Sequence, residues 1–198
     1  MQADMWFDPI CPFAWITSRW LIEVTPERNL QVDYNIMSLA HLNKDREVDA
    51  AHAEAFAKSW FATRLIAGVK AEHGAQHVLP LYTAIGTRIH NRKEKLSKEL
   101  LLSAVQEVGL VEDVMNYCDD ESWDAEVIKS HDAAIALVGS DVGTPVIGVA
   151  GVGFFGPVIS PAPKGIEAAK LWDGVLALAQ YPGFFELKRS RTVGPIFD

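Results

Sequence analysis

Only two cysteines, Cys11 and Cys118, occur in the 198 residues. Two thiols cannot build the disulfide framework of a small secreted fold, and their scarcity suits a reducing compartment. No run of about 18 apolar residues is present, so no membrane-spanning helix is expected. The N-terminus has no basic stretch leading into an apolar one, so no secretory leader is expected and a cytoplasmic location is the default. Positive charge is scarce: 18 Lys and Arg face 26 Asp and Glu, a net charge of -8. Nucleic acid is therefore a poor partner, because its phosphates reward clustered positive charge. The run Lys188-Arg189-Ser190-Arg191 is short and reads as a solvated face. No G-x-G-x-x-G motif opens a helix after a strand, and no serine sits in a nucleophile elbow, so neither a dinucleotide site nor a serine hydrolase is indicated. None of the histidines (His41, His52, His73, His77, His90, His131) stands at metal-ligand spacing with a cysteine. His73 and His77 straddle Gly74, which spoils a zinc pair. No metal is expected.

What is present is an ordinary globular composition, 49% hydrophobic and 22% charged. Its length supports one compact domain, or one carrying a large insertion. Met5-Trp6-Phe7 reads as a buried strand ended by Asp8-Pro9. A helix starts at Pro12, where the missing N–H costs nothing. Phe13, Ile16, Trp20 and Val24 form its apolar stripe, and Thr25-Pro26 is expected to end it. Leu30 to Met37 alternates as a strand does. From Asp45 to Val138 the pattern turns helical, with segments at Ala50–Glu72, Val78–His90 and Leu96–Val108, the last ended by Gly109. A last helix runs to Val138, with Ser122 as its expected cap. Strand signals return at Val146–Val149 and Val152–Phe155 around an Ala150-Gly151 turn. Ile166, Ala169, Trp172, Val175, Leu176 and Ala179 mark a final amphipathic helix. The tail from Leu187 carries little pattern and is expected to pack over the surface. The organisation is thus residues 1–44 as βαβ, 45–139 as a helical insertion, and 140–198 as ββα with the tail.

The chemistry concentrates in Trp6-Phe-Asp-Pro-Ile-Cys-Pro-Phe-Ala-Trp15. Cys11 directly precedes a helix N-terminus, whose free amides and dipole favour an anion. That placement predicts a lowered thiol pKa and a reactive thiolate. The alternative reading is a small buried hydrophobe, the usual fate of a free cysteine. Thr144-Pro145, just before a strand, lies beside the Cys11 helix in a βαβ…ββα topology. Ala14 stands where a dithiol motif has its second cysteine, so no disulfide can form within the motif. Cys118 would serve only if folding brought it within bridging distance. Trp15 and His90 are candidate substrate contacts, against the plainer readings of a core tryptophan and a hydrogen-bonded helix-end histidine.

Several long segments resemble the DsbA-like family: Trp6–Trp20, Met37–Leu39, Leu81–Asn91, Asp141–Pro145, Phe154–Val158 and Glu186–Arg189. The similarity is strongest to its mycothiol-dependent nitroreductase branch. The resemblance implies an α/β, thioredoxin-like fold with a large all-helical insertion, a cis-proline at Pro145 and, as in some relatives, a homodimer. It also implies a cytosolic oxidoreductase with mycothiol as co-substrate, no tightly bound cofactor, and small aromatic or disulfide substrates. That branch carries Cys-Pro-Trp-Cys; here Phe13 and Ala14 replace the last two residues. Cys11, Pro12, Thr144 and Pro145 carry over, and the resolving thiol does not. Kappa-class glutathione transferases and hydroxychromene carboxylate isomerases resemble this layout with serine at the cysteine position, and bind a thiol cofactor instead. The expected function is a single-thiol oxidoreductase. The alternatives are a thiol-cofactor isomerase or transferase, and a binding homologue without turnover.

Overall fold

In the computed structural model, residues 1–197 are described. Strand β1 (Gln2–Phe7) leads through helix α1 (Pro12–Arg28) to β2 (Gln31–Ile36). Helices α2 (Leu39–Leu42), α3 (Ala50–His73), α4 (Val78–Gly86), α5 (Lys98–Glu107) and α6 (Asp124–Val138) follow, before β3 (Val146–Val149), β4 (Val152–Phe155) and α7 (Gly165–Ala179). The sheet order is β2-β1-β3-β4. β1 and β2 run parallel, with Phe7 opposite Ile36; β3 is antiparallel to both β1 and β4. β1 is thus central and buried on both faces, which explains its apolar Met5-Trp6-Phe7 run. The fold is thioredoxin-like, with the α3–α6 helices between β2 and β3.

One apolar cluster joins the sheet to these helices, from Phe7 and Ile147 to Leu65, Tyr82 and Leu101. α1 lies at its centre and buries more than the expected stripe. Ala14, Trp15, Thr17, Ser18 and Leu21 are enclosed as well, because α7 packs on one side and α4 on the other. Trp20 reaches α7, donating its indole N–H to the Ala168 carbonyl at 2.9 Å.

Three local expectations change. α1 runs past Thr25-Pro26 to Arg28 and ends at Asn29, whose left-handed backbone (φ 47°) returns an N–H to the Thr25 carbonyl. Pro26 is tolerated because the helix bond it forgoes is to Ile22, on the exposed face of α1. Ser122 does not cap α6. The Asp120 carboxylate accepts the Ser122 N–H at 2.9 Å instead and caps the short turn before the helix. The helix expected over Val78–His90 widens at Thr87–Asn91 into a π-turn, closed by Arg92 N–H to the Thr87 carbonyl at 3.0 Å.

Gly86 stands at the start of that widening. A Cβ there would overlap the six-membered part of the Trp15 ring. That ring is pinned by its N–H bond to Asn91 Oδ1 (3.1 Å) and by the Arg19 guanidinium over its face (3.9 Å). Gly86→Ala therefore destabilises by about 1–3 kcal/mol, despite the better helix propensity of alanine. Urea denaturation measures it, and a stabilised variant rejects the close packing.

Candidate active site

Cys11 is the N-cap of α1. Its sulfur accepts the Ala14 N–H at 3.4 Å, and its S–H donates to the Thr144 carbonyl at 3.3 Å. The Cys-Pro turn is brought to the Thr144-Pro145 loop because β1, which leads into α1, pairs with β3, which follows Pro145. The Thr144–Pro145 peptide bond is cis. Pro12 occupies the first helical position. Phe13 is half-buried under the Arg191 guanidinium, 4.8 Å from its ring centre, and Ala14 is fully buried.

The sulfur is not a free thiolate. Cys11 is 7% exposed, and burial pushes its pKa up. The Thr144 side chain and the Ala14 and Phe13 amides pull the other way; the charge of Asp8 adds to the rise. The sequence predicts a lowered pKa from the helix N-terminus alone; desolvation outweighs that influence in the closed site. The Thr144 hydroxyl is buried without a geometric hydrogen-bond partner, which leaves it ready to donate once charge forms on the sulfur. Cys11 is thus a buried thiol held against a polar loop and a helix N-terminus.

Asp8, which sequence reasoning treated only as a strand stop, is fully buried beneath this turn. Its Oδ1 accepts the Ile10 N–H at 3.0 Å and its Oδ2 the Leu39 N–H at 2.8 Å. Burial, ahead of the opposing pull of those two amides, raises its pKa to about 7. The Asp8 backbone carbonyl also accepts the Cys11 N–H at 3.0 Å. The signal for this role was an Asp-Pro directly before the motif, and nothing local distinguishes it from a turn residue.

Trp15 and His90 meet face to face, ring centres 5.7 Å apart, at 3% and 5% exposure. His90 Nε2–H donates to the Pro9 carbonyl at 2.9 Å, and burial lowers the ring's pKa to about 4. His90 is therefore a neutral donor that fixes the loop ahead of Cys11. The C-terminal tail adds two contacts, Arg191 over Phe13 and Phe197 against His90 (5.5 Å). Ser160 anchors it through Gly194 and Ile196 at 2.8 and 2.9 Å. Two shallow surface hollows, one between β1 and α6 and one along β2 and α4, contain no residue of this site. Cys118 is a free, fully buried thiol in a 3₁₀ turn against α3, pushed up to about 11 by burial.

A family model described as the mycothiol-dependent nitroreductase Rv2466c matches residues 10–189. The chain belongs to this Rv2466c-like family. It is also similar to the uncharacterized protein Rv2286c of Mycobacterium tuberculosis, 26% identical over 96% of this chain and 82% of that protein. Among solved structures, a 2-hydroxychromene-2-carboxylate isomerase superposes with a TM-score of 0.61 at 14% identity, covering 91% of this chain and 95% of the isomerase. The cytosolic disulfide reductase DsbM of Pseudomonas aeruginosa, solved with GSH, superposes with a TM-score of 0.60 at 14% identity, covering 89% and 100%. These structures share the fold. Family and fold together place the chain among DsbA-type, thiol oxidoreductase-like proteins. Cys11, Thr144 and Pro145 lie inside the matched span, and no helix among the described residues is long and apolar enough to cross a membrane.

Proposed function

We propose that this protein is a single-thiol oxidoreductase of the cytoplasm, with mycothiol or a similar low-molecular-weight thiol as co-substrate. The observation that carries the reading is the Cys11 sulfur held between the Ala14 amide and the Thr144 carbonyl at the head of α1. Loss of the S–H proton converts the Thr144 contact from attractive to repulsive. The anion is then supported by the α1 amides and the Thr144 hydroxyl. Opening of the site is part of the cycle, because a thiol on a residue only 7% exposed cannot reach a disulfide.

With a disulfide substrate, the Cys11 thiolate attacks one sulfur and the other leaves as a thiolate that takes up a proton. A first mycothiol thiolate attacks the mixed disulfide, either at the sulfur linked to Cys11 or at Cys11 itself. A second thiol equivalent completes the exchange, and two mycothiols become one mycothiol disulfide. With a nitro-aromatic, the same two electrons reduce nitro to nitroso with loss of water. Ala14 makes the external thiol obligatory, since no second sulfur stands in the motif.

Intact-mass analysis after incubation with mycothiol disulfide tests the reading. The expected product is a single mixed disulfide on Cys11, removed by added mycothiol. Absence of an adduct under native conditions, with Cys11 still modified in denaturant, defeats it. The thiol-cofactor isomerase reading draws on one observation: burial keeps Cys11 protonated, so its S–H is available to donate to the sulfur of a bound thiol once the Thr144 contact is released.

A further inference from the structure

α2 and α6 meet at a side-chain cluster that the redox site does not use. His41 from α2 and His131 and Asp132 from α6 each offer one potential ligand atom, all within 4.8 Å of one another. The two imidazoles stand edge to face, 5.0 Å between centres at 75°. His131 is 3% exposed, and its Nδ1 is buried without a hydrogen-bond partner. A buried nitrogen in that condition is destabilising unless something binds it.

We infer that His41, His131 and Asp132 form a binding site for a divalent first-row transition ion such as Zn²⁺, which clips α2 to α6. Two imidazoles and one carboxylate are the donor set such ions take, with water completing the shell; Ca²⁺ and Mg²⁺ prefer all-oxygen sites. Metal–nitrogen bonds of about 2.0–2.1 Å place tetrahedral donors roughly 3.4 Å apart, so the cluster closes by about 1.4 Å on binding. Half-buried His41 and exposed Asp132 have the side-chain freedom to do so. His131 sits beside Ala134, which belongs to a small apolar cluster with Trp6, Met37 and Val146, a wall that fixes the α6 side of the site. The consequence reaches the thiol, because the first residue of α2, Leu39, donates its N–H to Asp8. The site stands whether or not the redox reading does.

The test uses untagged protein stripped with EDTA, as the parent and as Cys11→Ser, so that binding at the thiol is told apart from binding at the cluster. Zn²⁺ is titrated against a chromophoric chelator, and Co²⁺ is followed by its visible spectrum. One equivalent is expected to bind with a Kd of about 10 µM or below. At a hundredfold excess over Kd, Tm rises by about 5–10 °C. His41→Ala and Asp132→Ala are each expected to weaken binding about tenfold or more, since each removes a ligand. His131→Ala opens the interior, so the two more accessible positions carry the test. His52→Ala, at the exposed His52–Asp49 pair, leaves binding unchanged. No saturable binding up to about 1 mM, or binding lost only with His52→Ala, overturns the site.

Discussion

Replacing Cys11 with serine abolishes thiol-dependent turnover while leaving the fold intact. The structural half of that expectation follows from the cap. Serine is among the best N-cap residues, and its oxygen can accept the Ala14 N–H and donate to the Thr144 carbonyl as the sulfur does. Stability should stay within about 1 kcal/mol of the parent. The chemical half follows from the nucleophile. A serine hydroxyl does not ionise near neutral pH and forms no disulfide, so turnover falls by about a thousandfold or more. The measurement is mycothiol-dependent reduction of a disulfide or nitro-aromatic substrate, beside a urea denaturation curve. A variant that folds and retains activity, still requiring the thiol, transfers the chemistry to the bound cofactor and favours the isomerase or transferase reading. A folded parent that binds ligand tightly without turnover under any thiol favours the binding homologue.

The second large effect is on stability against pH, and it belongs to Asp8. Its pKa is about 7 in the folded protein against 3.8 for the unreacted side chain. Between those values the folded state keeps a proton that the unfolded chain releases. Stability therefore falls as pH rises, by about 1.4 kcal/mol per unit and roughly 4 kcal/mol over the whole interval. His90 and His131 act with the opposite sign. Each is lowered to about 4 from 6.5, so the unfolded chain takes up protons that the folded one refuses, and stability falls as pH drops below 6.5. Two histidines outweigh one carboxyl in the acid range, and Asp8 alone governs the short interval above it. The parent is expected to be most stable near pH 6.5.

Asp8→Asn isolates the carboxyl. The amide keeps an oxygen for one of the Ile10 and Leu39 amides and turns its NH₂ on the other, a pH-independent loss of about 1–3 kcal/mol. On top of that constant, the stability difference between variant and parent should move in favour of the variant by about 1.4 kcal/mol per unit from pH 4 to 7. Removing the negative charge beside the sulfur should also lower the Cys11 pKa and speed its alkylation. Denaturation curves across that range decide the matter; a difference flat with pH means that Asp8 is ionised throughout.

The residues that could be placed from sequence are those whose roles are local. Proline after Cys11 marks the first helical position, and alternation marks β2. An unbroken apolar run marks β1, and the Ala150-Gly151 turn marks the hairpin of β3 and β4. Each rests on backbone geometry within a few residues, and the order of elements then brings Thr144-Pro145 beside Cys11. The boundaries that moved did so for tertiary reasons. Pro26 is carried inside α1 because the bond it forgoes lies on the exposed face of the helix, at Ile22, and the helix after Val78 widens at Thr87 where Gly86 lies tight against Trp15.

What the sequence by itself determined is therefore the fold class, the position of the thiol at a helix head, and the absence of a partner thiol in its motif. The tertiary structure alone decided the state of that thiol, the burial of Asp8 and His90 around it, and the meeting of His41 with His131. The physical reason is common to all three. Desolvation depends on everything packed around a group, and those neighbours come from distant parts of the chain, whereas caps, periods and turns depend only on the residues next door.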